Sequence, residues 1–219
     1  MSKQLYFFIL LSILLSGCAA SIMDRTNISY IKEGFKNEDV KLNGLAFLPV
    51  VAGQGVEGYR RPFGEAINES MSKHKTKEMN FLKWQETLSC LNDSNLATNY
   101  NNAIVTYNET AIIDKNLLNN MGVATKTKYF LFVQLGDFEN SSELKYSFLT
   151  RNTYNQKTVG LKAFAQIWDA SNGDVVWEGI ADVSAQSSEF SHVKNSDPQT
   201  YSKIAAESLV KKILNIRSK

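Results

Sequence analysis

Apolar positions along this chain follow several distinct spacings, and their order predicts its elements. Leu5 to Leu15 is almost continuously apolar, with Ser12 the only polar residue. As a helix it would reach only about 16 Å, short of a hydrocarbon core of about 30 Å. Residues 19 to 41 are polar, mixed in charge and without a helical or strand period, which predicts a tether. Gly44 to Val51 is a continuous apolar run, read as a first buried strand, and Pro49 must lie near its end because it cannot donate to a ladder. After a glycine-rich loop from Ala52 to Arg61, Pro62 suits the first turn of a helix. Phe63, Ile67 and Met71 then line one face at i, i+4 and i+8.

From Asn80 to Trp84 the pattern fits either a short strand or a helix start. Gln85 to Lys126 is helical in period but polar, with Leu88 and Leu91, then Leu96, Tyr100, Ala103, Ile104 and Tyr107, then Ile113, Leu117, Leu118 and Met121. Asp93 and Asp114 are the expected caps. Tyr129 to Leu135 is the most strand-like run. Glu139 to Lys157 is polar, with room for a strand at Leu144, Tyr146 and Phe148. Val159, Leu161, Ala163, Ala165 and Ile167 alternate with Lys162, Phe164, Gln166 and Trp168. Asn172-Gly173 marks a hairpin turn, and the strand after it sets Val175, Trp177, Gly179, Ala181, Val183 and Ala185 on one face. Asp197-Pro198 opens a last helix whose apolar face is Tyr201, Ile204, Ala205, Leu209, Ile213 and Ile216. The order predicts one compact α/β domain over 42–219, a mixed β-sheet covered by helices in two or three layers.

Composition narrows the function classes. At 219 residues the chain holds one domain or little more, and 43% apolar with 21% charged residues excludes wholesale disorder. A formal charge of +2 excludes a strongly basic nucleic-acid binder. Two cysteines exclude a disulfide scaffold, and two histidines leave little for a metal site, so neither metal nor cofactor is expected.

Lys3, the apolar run and Leu15-Ser16-Gly17-Cys18 occur in the order of a secretory leader. The tetrad resembles the bacterial lipobox. The resemblance implies a signal peptide over 1–17, acylation of Cys18 (palmitate among the chains) and a tether over 18–41. The membrane is then the first partner, through a lipid anchor rather than a span. Ala19 after the cysteine implies the outer membrane, with the domain facing the periplasm. Cys90 is left as the lone thiol, expected in the core because it lies on the stripe of Trp84, Leu88 and Leu91.

Gly53-Gln54-Gly55-Val56-Glu57-Gly58 matches a dinucleotide fingerprint in spacing, with Glu78 downstream. In such a site the helix starts inside the glycines, so that its amides meet the pyrophosphate; here Pro62 places the start after them. Gly53, Gly55, Gly58, Arg60 and Arg61 are therefore read as a loop open to a partner or an anionic ligand. His74 sits among lysines and His192 in a polar loop, and the three tryptophans are expected on core faces. No arrangement of nucleophile and base is visible, so no catalytic residue is assigned and the chain is expected not to be an enzyme.

Four segments together resemble one family: the strand ending in Leu48-Pro49-Val50, the run Tyr129 to Val133, the run Val159 to Ala170, and Asn172-Gly173-Asp174-Val175-Val176-Trp177. They are similar to the periplasmic α/β domain of the curli-secretion-channel (CsgG) and penicillin-binding-protein-activator (LpoB) lipoproteins. The resemblance implies a sandwich fold and a function of binding, with an envelope protein as partner and self-association left open. Residues 19 to 41 are shorter than the activators' tethers. A secretion channel would need two long added hairpins, and only 139–157 has the length. The reading is thus an interaction module in envelope assembly, with a cell-wall-fragment or small-ligand binder and a channel subunit as alternatives.

Overall fold

The computed structural model describes residues 22–147, 152–188 and 198–215. Cys18, His192, Asp197 and Ile216 lie outside them. The strands are β1 (Ile22–Asp24), β2 (Asn27–Ile31), β3 (Leu45–Phe47), β4 (Val51–Ala52), β5 (Phe81–Leu82), β6 (Tyr129–Ser147), β7 (Asn152–Asp169) and β8 (Asp174–Ser188). The helices are α1 (Asn37–Asn43), α2 (Arg60–His74), α3 (Trp84–Asp93), α4 (Ala97–Thr110), α5 (Lys115–Thr125) and α6 (Pro198–Ile213). The strands form one mixed sheet in the order β1-β8-β7-β6-β3-β5, with β2 also on β8 and β4 also on β6. β3 runs parallel to β5 and β6, while β6, β7 and β8 form an antiparallel meander.

Strand alternation sends successive side chains to opposite faces, and each face has its own core. On the first, Phe47, Leu131, Ile167, Trp177 and Val183 pack beneath α2 and α6, with Phe63, Ile67 and Met71 from α2 and Ala205, Leu209 and Ile213 from α6. On the second, Ala46, Leu48, Phe130, Phe132 and Trp168 meet Leu91 of α3, Tyr100 of α4, and Leu118 and Met121 of α5. The result is a three-layer α/β domain, as the alternation predicts. Pro49 interrupts the first strand, which stops at Phe47 and resumes against β6 at Val51.

Three expectations are corrected here. The polar stretch through residue 41 is not a tether from Ile22 onward: β1 pairs with Val183–Ala185 and β2 with Trp177–Ile180, and α1 buries Val40. Backbone pairing satisfies the edge of β8, and β2 is exposed along its whole length, so burial imposes no one-sided apolar pattern on it. Val175 does not share a face with Trp177. Trp177 pairs with Ile167 and Val175 with Trp168, so Val176 is an extra residue. This β-bulge moves Val175 onto the second face beside Trp168. Asp93 closes α3 rather than capping a helix, whereas Asp114 does cap α5, accepting from Leu117 N at 2.9 Å. The strand expected at Leu144 and Tyr146 does form, as β6 and β7 continue in a paired arm from Phe138↔Leu161 to Ser147↔Asn152, while Phe148 lies outside the described residues.

At the β7–β8 turn only Gly173 takes a left-handed φ, of 78°. Asp169, buried beside the turn, accepts from Ser171 N (2.9 Å) and Ser171 Oγ (2.6 Å) and pairs with Lys128 Nζ at 3.3 Å.

Candidate functional site

Gly53, Gly55, Gly58, Arg60 and Arg61 lie together, all exposed, where the chain enters α2. Gly55 adopts a φ of +85°, but a Cβ on any of the three glycines would meet nothing within 4 Å, so no close backbone approach requires them. The Gly55 N–H donates to Glu57 Oε2 at 2.9 Å, so the loop's own carboxylate occupies an amide that an anion would use. The helix begins at Arg60, after the glycines, as Pro62 predicts.

Cys90 is only half-buried rather than enclosed in the core. The inward pair of α3 is Thr87 and Leu91, which leaves Cys90 on the flank of that stripe. His74 lies 3.9 Å from Glu207 Oε1, which also accepts a 3.0 Å ion pair from Lys211. That pair, with burial opposing it, holds the Glu207 carboxyl below its ordinary value. Trp177 and Trp168 are buried and Trp84 is half-buried against Gly64. Among the described residues no group of three or more His, Cys, Asp or Glu could hold a metal ion. No helix among them is long and apolar enough to cross a membrane.

The feature with the most chemistry was not singled out in the sequence. On the second face, α3, α4 and α5 cover β3, β6 and the turn end of β7. Beside α4 a cleft of about 550 Å³ opens on this face. Tyr107 of α4 forms one wall. It stays on the sheet by edge contacts with Phe132 (4.6 Å between ring centroids) and Trp168 (6.3 Å). The α4 turn below it closes with Ala111 in a left-handed conformation, its N–H donating to Tyr107 O. Phe164 and Ile180, from β7 and β8, form the opposite wall, Ser29 of β2 the outer rim, and Gln134 and Gly136 of β6 the inner one. Gly136 stands at the β6 bulge, where a Cβ would meet Phe164 Cε2 at 2.9 Å, so only glycine lets that ring lie across the strand.

A hydrogen-bonded chain crosses the floor. Tyr107 Oη donates to Gln166 Oε1 at 2.9 Å, and Trp168 Nε1 donates to the same oxygen at 3.1 Å. Gln166 Nε2 donates to Glu178 Oε1 at 2.6 Å. Two donors on one oxygen fix which end of the amide is which, so Gln166 must present its NH₂ to Glu178. Burial, with the Glu178 charge second, pushes the Tyr107 hydroxyl above its ordinary value, and the Gln166 bond only partly offsets this. Tyr107 therefore keeps its proton and its role as donor at neutral pH. The cleft combines apolar walls with a few fixed polar groups, the usual make-up of a binding site. None of the five loop residues predicted as a site lines it.

No protein-family model matches the chain, and no curated protein matches it either. Solved structures do. A neuraminyllactose-binding haemagglutinin homologue from Helicobacter pylori matches with a TM-score of 0.46 at 11% identity, covering 87% of this chain and 90% of its own. The PelC dodecamer from Paraburkholderia phytofirmans matches at 0.41 and 10% identity, covering 90% of this chain and 100% of its own. Lipoprotein GNA1162 from Neisseria meningitidis matches at 0.40 and 13%, covering 78% and 98%. Likeness at this level carries no residue role or ligand over to this chain.

Proposed function

We propose that this chain is an outer-membrane lipoprotein, anchored through Cys18, whose α/β domain faces the periplasm and is a non-enzymatic interaction module in cell-envelope assembly. One observation carries the reading. In the cleft beside α4 the polar side chains are tied to one another as Tyr107–Gln166–Glu178, while apolar side chains beside it stay open to solvent. Phe164 is 42% exposed in the cleft, and on the edge strand β2 Tyr30 (43%), paired with Glu178, shares that face, while Ile28 (38%) and Ile31 (46%), paired with Gly179 and Trp177, are exposed on the other side of the strand. Exposed apolar side chains along an edge strand are the physical signature of a place where another chain packs.

The test is site-specific photocrosslinking in intact cells, with the full lipidated chain carrying the crosslinker at Ile28 or, as a control, at Glu69 on α2. A single adduct of reproducible mass from Ile28, absent from Glu69, is expected. No adduct, or the same adducts from both positions, overturns the reading. Cys18→Ala should move the protein from the membrane to the soluble fraction; retention in the membrane would refute the anchor.

A further inference from the structure

We propose that the cleft receives the cationic side chain of a partner protein, an arginine or a lysine, and that Glu178 is the residue that selects it. This rests on the interaction reading above and adds the chemistry of the partner.

The argument is one of unspent hydrogen-bonding capacity. Among the described residues, Glu178 is the only charged side chain lining the cleft. One carboxylate oxygen accepts from Gln166 Nε2. The other has no hydrogen-bond partner among the described residues. Tyr107 Oη donates its hydrogen bond to Gln166, so its oxygen keeps lone pairs free to accept. The Gln166 carbonyl is already taken twice. The strongest vacant positions are therefore acceptors, one bearing a full negative charge, and they call for a group rich in N–H donors. An anionic group would meet Glu178 with like charge, and a neutral hydroxyl would leave that charge unbalanced.

The walls agree with a cation on an apolar stem. Tyr107, Phe132 and Phe164 all border the cleft. Aromatic faces attract guanidinium and ammonium groups, and apolar walls suit the methylenes behind them. Ser29 at the rim belongs to β2, the exposed strand on the β8 edge. An extended partner segment lying beside β2 could place every second side chain toward this face.

The test follows the full mature chain by ¹H–¹⁵N NMR, reading the Trp168 indole and the Gln166 side-chain amide. The probes are N-acetyl-arginine-methylamide and its neutral isostere N-acetyl-citrulline-methylamide. Saturable shifts of both resonances with the arginine probe are expected, with the citrulline probe about tenfold weaker, as loss of a charge-assisted bond implies. Glu178→Gln keeps an oxygen for Gln166 and removes the charge; it should bring arginine affinity down to the citrulline level. Equal binding of the two probes, no effect of Glu178→Gln, or no saturable shift overturns the proposal. If it fails while the Ile28 adduct persists, the interaction reading stands and only the chemistry assigned to the cleft is wrong.

Discussion

Replacing Gly179 with alanine tests the packing of β8 under one sharply defined clash. A Cβ there would sit 2.4 Å from Trp177 Cη2 and 3.0 Å from both Cζ2 and Cζ3. Carbon atoms pack at about 3.5–4.0 Å, so the indole would have to retreat by more than about 1 Å. It has nowhere to go, because Trp177 is fully buried in the core under α6. Overpacking of this kind costs about 1–3 kcal/mol, and the reduced backbone freedom of alanine returns at most about 1. Net destabilisation of about 2 kcal/mol is expected, read by urea denaturation with an unchanged slope. All three clashing atoms belong to the six-membered ring of the indole, which Trp177→Phe removes. That change also removes the Trp177 Nε1–H, a buried donor without a partner among the described residues. In the Trp177→Phe background the alanine should therefore cost less than about 0.5 kcal/mol, giving strong coupling in the double-mutant cycle. Additive effects would refute the packing described.

The site and its supports give further outcomes. Tyr107→Phe keeps the ring on Phe132 but deletes the donor to Gln166; it should cost about 1 kcal/mol in denaturation and alter Trp168 emission, since both donors share Gln166 Oε1. Asp114→Ala removes the side-chain cap of α5 and should cost about 1 kcal/mol, with Asp114→Asn recovering most of it. Glu207 has a folded pKa below its ordinary 4.5, so its stabilising effect is present above that value and is lost as the pH falls through the folded pKa. Denaturation from neutral to acid pH should show wild type losing its advantage over Glu207→Gln only below about pH 5. A constant difference across the range would show that Lys211 does not set the titration.

What could be read in the sequence followed from burial. Phe63, Ile67 and Met71 recur on the α2 face and are fully buried, and the β7 alternation matches its sheet face from Val159 to Ile167. These positions were legible because water exclusion imposes the period directly. β1 and β2 were not, because their contribution is backbone pairing at an edge, which any polar residue can supply. The Val176 bulge was hidden for another reason: Val175, Val176 and Trp177 are all apolar, so an extra residue leaves the pattern unbroken.

The cleft draws on Ser29, Tyr107, Phe132, Phe164, Gln166 and Glu178, contributed by β2, α4, β6, β7 and β8. Along the chain, Gln166 and Glu178 are ordinary outward positions of amphipathic strands. Their meaning appears only when the register pairs them across β7 and β8 and α4 stops short of covering them. The one local trace is Gln166 between Phe164 and Trp168, a polar residue where the same strand face is otherwise aromatic. The near-neutral charge of the chain, +2 overall, argues against long-range attraction of a charged partner. It does not argue against a charge used at contact. Beyond a screening length of about 8 Å in physiological salt, a single carboxylate such as Glu178 is invisible to an approaching protein. Inside a half-enclosed cleft it is weakly screened and strongly selective. A near-neutral chain with one unshared carboxylate among aromatic walls is thus built to discriminate at the moment of docking rather than to steer on approach. Under the proposed anchoring through Cys18, with partners in the same thin compartment, that is the more useful property.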